Sequence, residues 1–327
     1  LYTECEAIYQ VDNLMTCWNG LDDDDRATFN FDPRSVDWPT YITTIHLPSI
    51  IQHARVKTTP GASPSADRMG RMRKQVLDPK RQVVAFDLEN TLIASNVVES
   101  YSWLATRRLD TPERIRYVLR TLAEGPRLAK LDRADRTDFL RDFYRRYEDA
   151  PVEQIERDAA EMLSQIIMTK SFPDGIRRVR EHRALGHRTI LITGALSFNV
   201  EGLRPLFDEI VAAEMSIRPD NTYSGEMITV PPTGDARAQI LADYCDAEGF
   251  DLDECVAYAD SSSDLPLFEA VGFPVAVNPE TRLAAIARKR GWLVEHWSKA
   301  SGAPRRRLPI GPLLSERQRT QRFGVRA

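Results

Sequence analysis

Short apolar runs and helical periodicities follow one another along this chain, and their order predicts its architecture. Val83-Val84-Ala85-Phe86 is an unbroken apolar run between polar residues, as expected of a strand buried on both faces of a parallel sheet. From Asn96 onward the period changes. Val97, Tyr101 and Leu104 recur at helical spacing. Asp110-Thr111-Pro112-Glu113 is a helix start, with a capping residue and Pro in the first turn. Ile115, Val118, Leu119 and Leu122 continue at i, i+3, i+4 and i+7, and Gly125 is expected to end that helix. Residues 136–148 and 152–169 read as two further helices, with no strand signal between them. Strand and helix then alternate. Helices are expected at 176–185, 198–206, 235–249, 265–271 and 281–290. Strands are expected at 187–193, 210–214, 255–259 and 274–278, with a turn at Tyr223-Ser224-Gly225 and a short strand at 227–230. Such repeated units with short connections predict an α/β fold, a doubly wound parallel (Rossmann-like) sheet with an all-helical segment inserted after its first strand.

The flanks read differently. Residues 1–56 form a mostly helical segment in which the acid run at 22–25 is a solvated helix start. Phe29, Phe31, Trp38, Tyr41, Ile45, Leu47 and Ile50 give it apolar surface to pack on something. Residues 57–80 cluster Pro, Gly and Ser and then Arg68, Arg71, Arg73 and Lys74. They read as a linker whose cations are either solvated or placed to touch phosphate or a partner. The core then comprises 81–94 and 170–298, and the helical insertion 95–169. The tail, 299–327, carries seven Arg, one Lys and one Glu. It reads as an exposed extension, either inert or able to make peripheral contact with an acidic partner or anionic lipid.

The composition narrows the field. A chain of 327 residues has room for two or three domains, and 42% apolar with 28% charged residues is ordinary for a globular protein. The net charge of −4 argues against a general nucleic-acid binder. No apolar run approaches the roughly 18–20 residues of a membrane span, and no basic-then-apolar leader opens the chain. It does not begin with Met, which is expected of a trimmed chain or a piece of a longer polypeptide. Cys5, Cys17, Cys245 and Cys255 make no C-x-x-C pair and read as reduced, buried or half-buried thiols of a cytoplasmic protein. Scattered histidines without H-E-x-x-H argue against zinc, and no G-x-G-x-x-G opens a nucleotide-binding unit.

In open α/β sheets the chemistry lies just past the carboxyl ends of the strands. Here the expected strand ends carry Asp87-x-Glu89-x-Thr91, Thr193-Gly194 and Asp260-Ser-Ser-Ser-Asp264, and a later helix opens as Thr-Gly-Asp-Ala-Arg237. This series, with a helical insertion in its first gap, resembles the haloacid dehalogenase (HAD) superfamily. The stretch YADSSSDLPLFEAVGFPVAVNPETRLAAIARKRGW resembles its phosphoserine-phosphatase-like branch. The resemblance implies a phosphomonoester hydrolase acting on a small phosphorylated metabolite through an aspartyl-phosphate on Asp87, with the inserted helices as a cap. A carboxylate attacking a phosphate dianion is repelled, so a hard cation is required, and Mg²⁺ takes oxygen ligands. The family pattern implies that Asp87, Asp260 and the backbone carbonyl of Glu89 hold it. Asp264 would orient ligand water or hold the basic residue. Thr193 Oγ1 and the Gly194 N–H would bind phosphoryl oxygens, and Glu89 would act as acid and base.

The chain also departs from the pattern. The second acid is usually Asp, so Glu89 is either a working acid one methylene longer or a sign that the role is lost, and misplacement by about 1 Å can cost on the order of 100-fold. The expected Lys is missing. Arg237 is the substitute, keeping the charge in a bulkier fork, unless it is a solvent-facing helix residue; Lys170 is the fallback. The branch's substrate-contacting Glu falls at Asn96, with Glu99 one turn later to stand in. FDPRSVDWPTYITTIHLPS resembles, over about 50 residues and without a catalytic signature, the C-terminal region of male-sterility-type fatty-acyl reductases. The alternative reading is therefore a weakened or non-catalytic phosphate-binding module of a lipid-metabolising fusion protein.

Overall fold

A computed structural model describes residues 11–49, 68–300 and 310–312, and the chain divides in sequence between Arg68 and Met69 into two compact units. In the N-terminal unit, helices run over Asp12–Asn19 and Asp23–Thr28. Asp22 caps the second by accepting the Asp25 N–H at 2.8 Å, so the acid run is a helix start. Phe31 packs edge-on against Trp18. Phe29, Trp38, Tyr41, Ile45 and Leu47 are exposed, and Ile50 lies outside the described residues.

The second unit is built on a six-stranded parallel sheet, β1 Val83–Phe86, β2 Arg188–Leu196, β3 Glu209–Ala213, β6 Val256–Ala259, β7 Phe273–Val277 and β8 Leu293–Glu295, in the order β3-β2-β1-β6-β7-β8. β1 lies between β2 and β6 with all four side chains fully buried. Val84 and Phe86 enter one apolar cluster, Val83 and Ala85 the other. An uninterrupted apolar run is what a strand covered on both faces requires. A two-stranded antiparallel hairpin, β4 Met215–Ile217 and β5 Tyr223–Met227, stands apart from this sheet. No helix among the described residues is long and apolar enough to cross a membrane.

Several elements differ from the sequence expectation. Arg68–Val76 is a helix, not linker: Val76 is buried, Met69 and Met72 pack on the core, and Arg73 Nε donates to Glu295 Oε1 at 2.8 Å. Residues 57–67 lie outside the described residues, as do 301–309 and 313–327 of the basic tail. The helix expected to stop at Gly125 runs over Thr111–Ala134, through Gly125 and Pro126. Pro removes one N–H, but the Leu, Ala and Lys that follow are strong helix formers and Leu128 is buried. Tyr223 to Gly225, read as a turn, are strand, and 228–230, read as strand, are not. This hairpin bonds to the inserted helices, with the Tyr223 N–H donating to Ala150 O at 2.9 Å and the Val152 N–H to Asn221 O at 3.1 Å. β8 was not foreseen, because three residues carry too little periodicity to read. Cys245 and Cys255 are buried free thiols, whereas Cys17 is exposed.

On one face of the sheet a polar network is sealed in. Glu295 accepts from Arg73, from Arg178 Nη2 at 3.2 Å and from Trp297 Nε1 at 2.8 Å. Arg178 also reaches Tyr258 Oη, which lies 2.8 Å from His182 Nε2, and His182 Nδ1 lies 2.8 Å from His187 Nδ1. Burial, then His187 and Arg178, push His182 down to about 2. Its unfolded value is near 6.5. The unfolded chain therefore takes up a proton below pH ~6.5 that the folded chain excludes, and stability falls as pH drops through that range. Between pH 7.5 and 5.5 the wild type is expected to lose about 1.4 kcal/mol more than His182→Gln, read from urea midpoints at the two pH values; equal losses would contradict a buried neutral His182.

Candidate active site

The centre of the sheet is where its winding reverses: from β1 the order runs to β2 and β3 on one side and to β6, β7 and β8 on the other. Ligands bind at such switch points, outside the strand ends. Asp87 follows β1 directly, continuing the ladder with its N–H on Tyr258 O at 2.9 Å. Asp260 directly follows β6. Asp264 precedes the Leu265–Ala270 helix and is almost fully buried. Each of Asp87, Asp260 and Asp264 offers a carboxylate oxygen within 4.8 Å of the others.

Arg237, in the first turn of the Asp235–Glu248 helix, is the counter-charge. Its Nη2 lies 2.9 Å from Asp87 Oδ1, and its Nη1 donates to Asp264 Oδ1. It is 5% exposed, so the reading of a solvent-facing helix Arg is overturned. The helix start points its first turn at the strand tips, and the long fork bridges two carboxylates that one ammonium would serve less well. Lys170 is engaged elsewhere, in an ion pair with Glu99.

Glu89 pairs with Arg136, a residue that no motif singled out. Arg136 opens the Arg136–Tyr144 helix of the insertion, is held by Asp132 at 2.6 Å, and lies over the Phe139 ring. Burial raises Glu89 to about 7 against the pull of Arg136, with the Asp87 charge adding to the rise. Burial likewise raises Asp260, reinforced by Asp87 and Asp264. Among the described residues no cation pairs with Asp260. Four carboxylates thus face two guanidiniums, and the remainder is the charge of one divalent ion. Three converging carboxylates, one of them unpaired, fit a hard cation that takes oxygen ligands.

Thr193 and Gly194 lie within β2, which continues through them to Leu196 with a shift in its pairing to β3. Thr193 Oγ1 accepts the Ala195 N–H at 3.1 Å. Gly194 is clamped by the insertion: its carbonyl accepts from Tyr144 Oη at 2.7 Å, and a Cβ there would meet Leu140 Cδ1 at 2.8 Å and Thr233 Cγ2 at 2.9 Å. Close approach, then, is why this position is Gly. Tyr144 was also unforeseen; its place in an apolar-periodic helix gives no signal of its polar contact. Thr91 Oγ1 is buried without a hydrogen-bond partner.

Asn96 and Glu99 are not gathered into this cluster. Asn96 caps the Val97–Thr106 helix, accepting the Glu99 N–H at 2.9 Å, and Glu99 also accepts from Ser95 Oγ at 3.2 Å. Beside Glu89 a small chamber of about 30 Å³ opens against the insertion, walled by Leu88, Ile93, Val97, Met162 and Ile166. It has room for at least one water.

Residues 84–269 match the haloacid dehalogenase-like hydrolase family. The chain belongs to that family. Within it, a phosphoserine phosphatase of Mycobacterium tuberculosis is 28% identical over 229 residues, 68% of this chain and 73% of that protein. The "inhibition of morphological differentiation protein" of Streptomyces azureus is 32% identical over 143 residues, 43% of this chain; the match spans about half of the Streptomyces protein, 51%. The crystal structure of a Bordetella pertussis protein of unknown function superposes with a TM-score of 0.56 at 23% identity, covering 65% of this chain and 97% of that one. The HAD member here is of the phosphoserine-phosphatase-like kind, an enzyme of the phosphatase type. Residues 1–56 lie outside the family match.

The unpaired Asp260 yields a test that needs no substrate. In EDTA, Asp260→Asn should be more stable than wild type, by on the order of 1–3 kcal/mol, because it removes an uncompensated buried charge. Chemical denaturation measures this; a variant less stable than wild type would mean that Asp260 is satisfied by the protein itself.

Proposed function

We propose that the chain hydrolyses a small phosphomonoester in two steps, through a phosphoryl group carried transiently on Asp87. The observation that carries this reading is the buried Asp87 carboxylate, aligned by Arg237 at the tip of β1 with a second acid, Glu89, two residues on. In the first step an Asp87 oxygen attacks phosphorus, the bond to the leaving oxygen breaks, and Glu89 gives that oxygen a proton. In the second, Glu89 takes a proton from the water that attacks the aspartyl-phosphate, releasing phosphate and restoring Asp87. Arg237 holds Asp87 and offsets charge on the phosphoryl oxygens, to which Thr193 Oγ1 and the Gly194 N–H would donate once phosphate displaces their present arrangement. Arg136 keeps Glu89 aimed across the site from the insertion side.

Asp87, Asp260 and the Glu89 carbonyl would hold Mg²⁺, with Asp264 behind them fixing Arg237 and ligand water. The ion supplies the positive charge that lets a carboxylate approach a phosphate dianion. The excess of acid over base in the cluster supports this assignment.

The substrate reading is a small phosphorylated metabolite. The Mycobacterium relative's name points to phosphoserine, so phosphoserine belongs in the test. Against it, Asn96 is used as a helix cap and Glu99 is neutralised by Lys170, while the chamber walls are largely apolar.

Two outcomes are expected. Mg²⁺ at about 100 times its dissociation constant should stabilise the protein by about 2.7 kcal/mol, seen as a rise in Tm that Asp260→Asn abolishes. Phosphate release from a panel holding phosphoserine, sugar phosphates and p-nitrophenyl phosphate should fall on the order of 10³-fold or more in Asp87→Asn, and about 10²-fold or more in Glu89→Gln. Binding of Mg²⁺ without turnover of any member of the panel would leave a phosphate-binding module instead. Turnover retained in Asp87→Asn would exclude the covalent route.

A further inference from the structure

The Thr111–Ala134 helix carries side chains that the site does not use. Its acids already have partners. Glu113 closes the capping box with Asp110, Glu124 accepts from Arg120 at 3.0 Å and Arg146 at 2.8 Å, and Asp132 accepts from Arg136. The outward face is aliphatic and basic. Ile115, Leu119 and Leu122, at i, i+4 and i+7, are 58%, 62% and 65% exposed, the last two the most exposed large apolar side chains among the described residues. Arg116, Arg127 and Lys130 are exposed and form no hydrogen bond or ion pair among the described residues. At 3.6 residues per turn these cations border the aliphatic stripe on one side.

We propose that this helix face docks on an anionic bilayer surface. Aliphatic side chains on a convex helix can enter the boundary between headgroups and acyl chains, where Arg and Lys lay their stems along it and reach lipid phosphates. Charge separates this occupant from the alternatives. The chain returns to the start of the helix at Gly311, whose carbonyl accepts from Arg114 Nη2 at 2.6 Å and whose N–H donates to Thr106 Oγ1 at 3.0 Å. The residues after Pro312 then carry four Arg and one Glu. Like charge opposes that tail covering the basic face, and the same tail adds to the attraction for an anionic surface. A second copy in two-fold contact would set the same cations against each other. The same helix, on another side, reaches the site: Asp132 in its last turn holds Arg136, which pairs with Glu89.

The test is flotation of the full chain with phosphatidylcholine vesicles, with and without phosphatidylglycerol. Vesicles containing phosphatidylglycerol should bind at least about 10-fold more tightly, and 0.5 M NaCl should weaken that binding. The pair Leu119→Gln/Leu122→Gln and the triple Arg116→Glu/Arg127→Glu/Lys130→Glu should each weaken it by about 10-fold or more, with unchanged Tm and unchanged phosphate release from a soluble substrate. No vesicle binding overturns the proposal, as does equal binding to both kinds of vesicle. Binding that is lost on removing 313–327 but untouched by the helix substitutions also overturns it. Self-association, or capture of an acidic protein, that the same substitutions abolish in the absence of vesicle binding overturns it in favour of a protein interface.

Discussion

The concentration of carboxylates at the joined tips of β1 and β6 is the constraint around which this molecule is arranged. Asp87, Glu89, Asp260 and Asp264 share a space from which most water is excluded, where like charges repel strongly. Arg237 and Arg136 offset part of that charge from opposite sides, one from the sheet's own helix and one from the insertion. The arrangement leaves a deficit of positive charge at a place where a phosphate dianion would have to enter. A site built to bind phosphate by side chains alone would carry more cations than acids. This one carries more acids, which makes sense if a metal ion is part of its working state.

Holding such a cluster costs free energy, and the surrounding scaffold is correspondingly dense. β1 contributes four buried apolar side chains to two separate clusters, so the strand that presents Asp87 has little freedom to move. On one face, Glu295 gathers Arg73, Arg178 and Trp297, joining a helix before the sheet to its last strand. A buried network of this kind adds little net stability when complete, but breaking one member is expensive, so it fixes the arrangement more than it strengthens it.

The insertion is fastened to the site by specific contacts. Arg136 holds Glu89, Tyr144 holds the Gly194 carbonyl, and Leu140 fills the space that a side chain at 194 would take. Since all three come from one short helix, a movement of that helix would change the surroundings of Glu89 and of Gly194 together. The β4–β5 hairpin braces the insertion through backbone bonds, from the Tyr223 N–H to Ala150 O and from the Val152 N–H to Asn221 O.

The order of strands and helices, the buried character of β1 and β6, and the acids at their tips were legible in the sequence, because apolar periodicity and strand-end motifs are local properties. Asp87, Asp260 and Asp264 followed from that order together with the family resemblance their motifs carry. Whether Arg237 faced solvent or the acids did not, because a lone Arg in the first turn of a helix has the same local signal either way; only the docking of that helix on the strand tips decided it. Arg136 and Tyr144 were invisible for a related reason: their partners lie about fifty residues away in the chain, and no spacing within their own helix records them. The same limit explains β8 and the continuation of the Thr111–Ala134 helix past Pro126, where burial of Leu128 outweighed the local stop signal. The sequence by itself thus determined most of the sheet, its carboxylates and the family resemblance. The tertiary structure decided which cations those carboxylates meet, since charge pairing depends on distance through space and not along the chain.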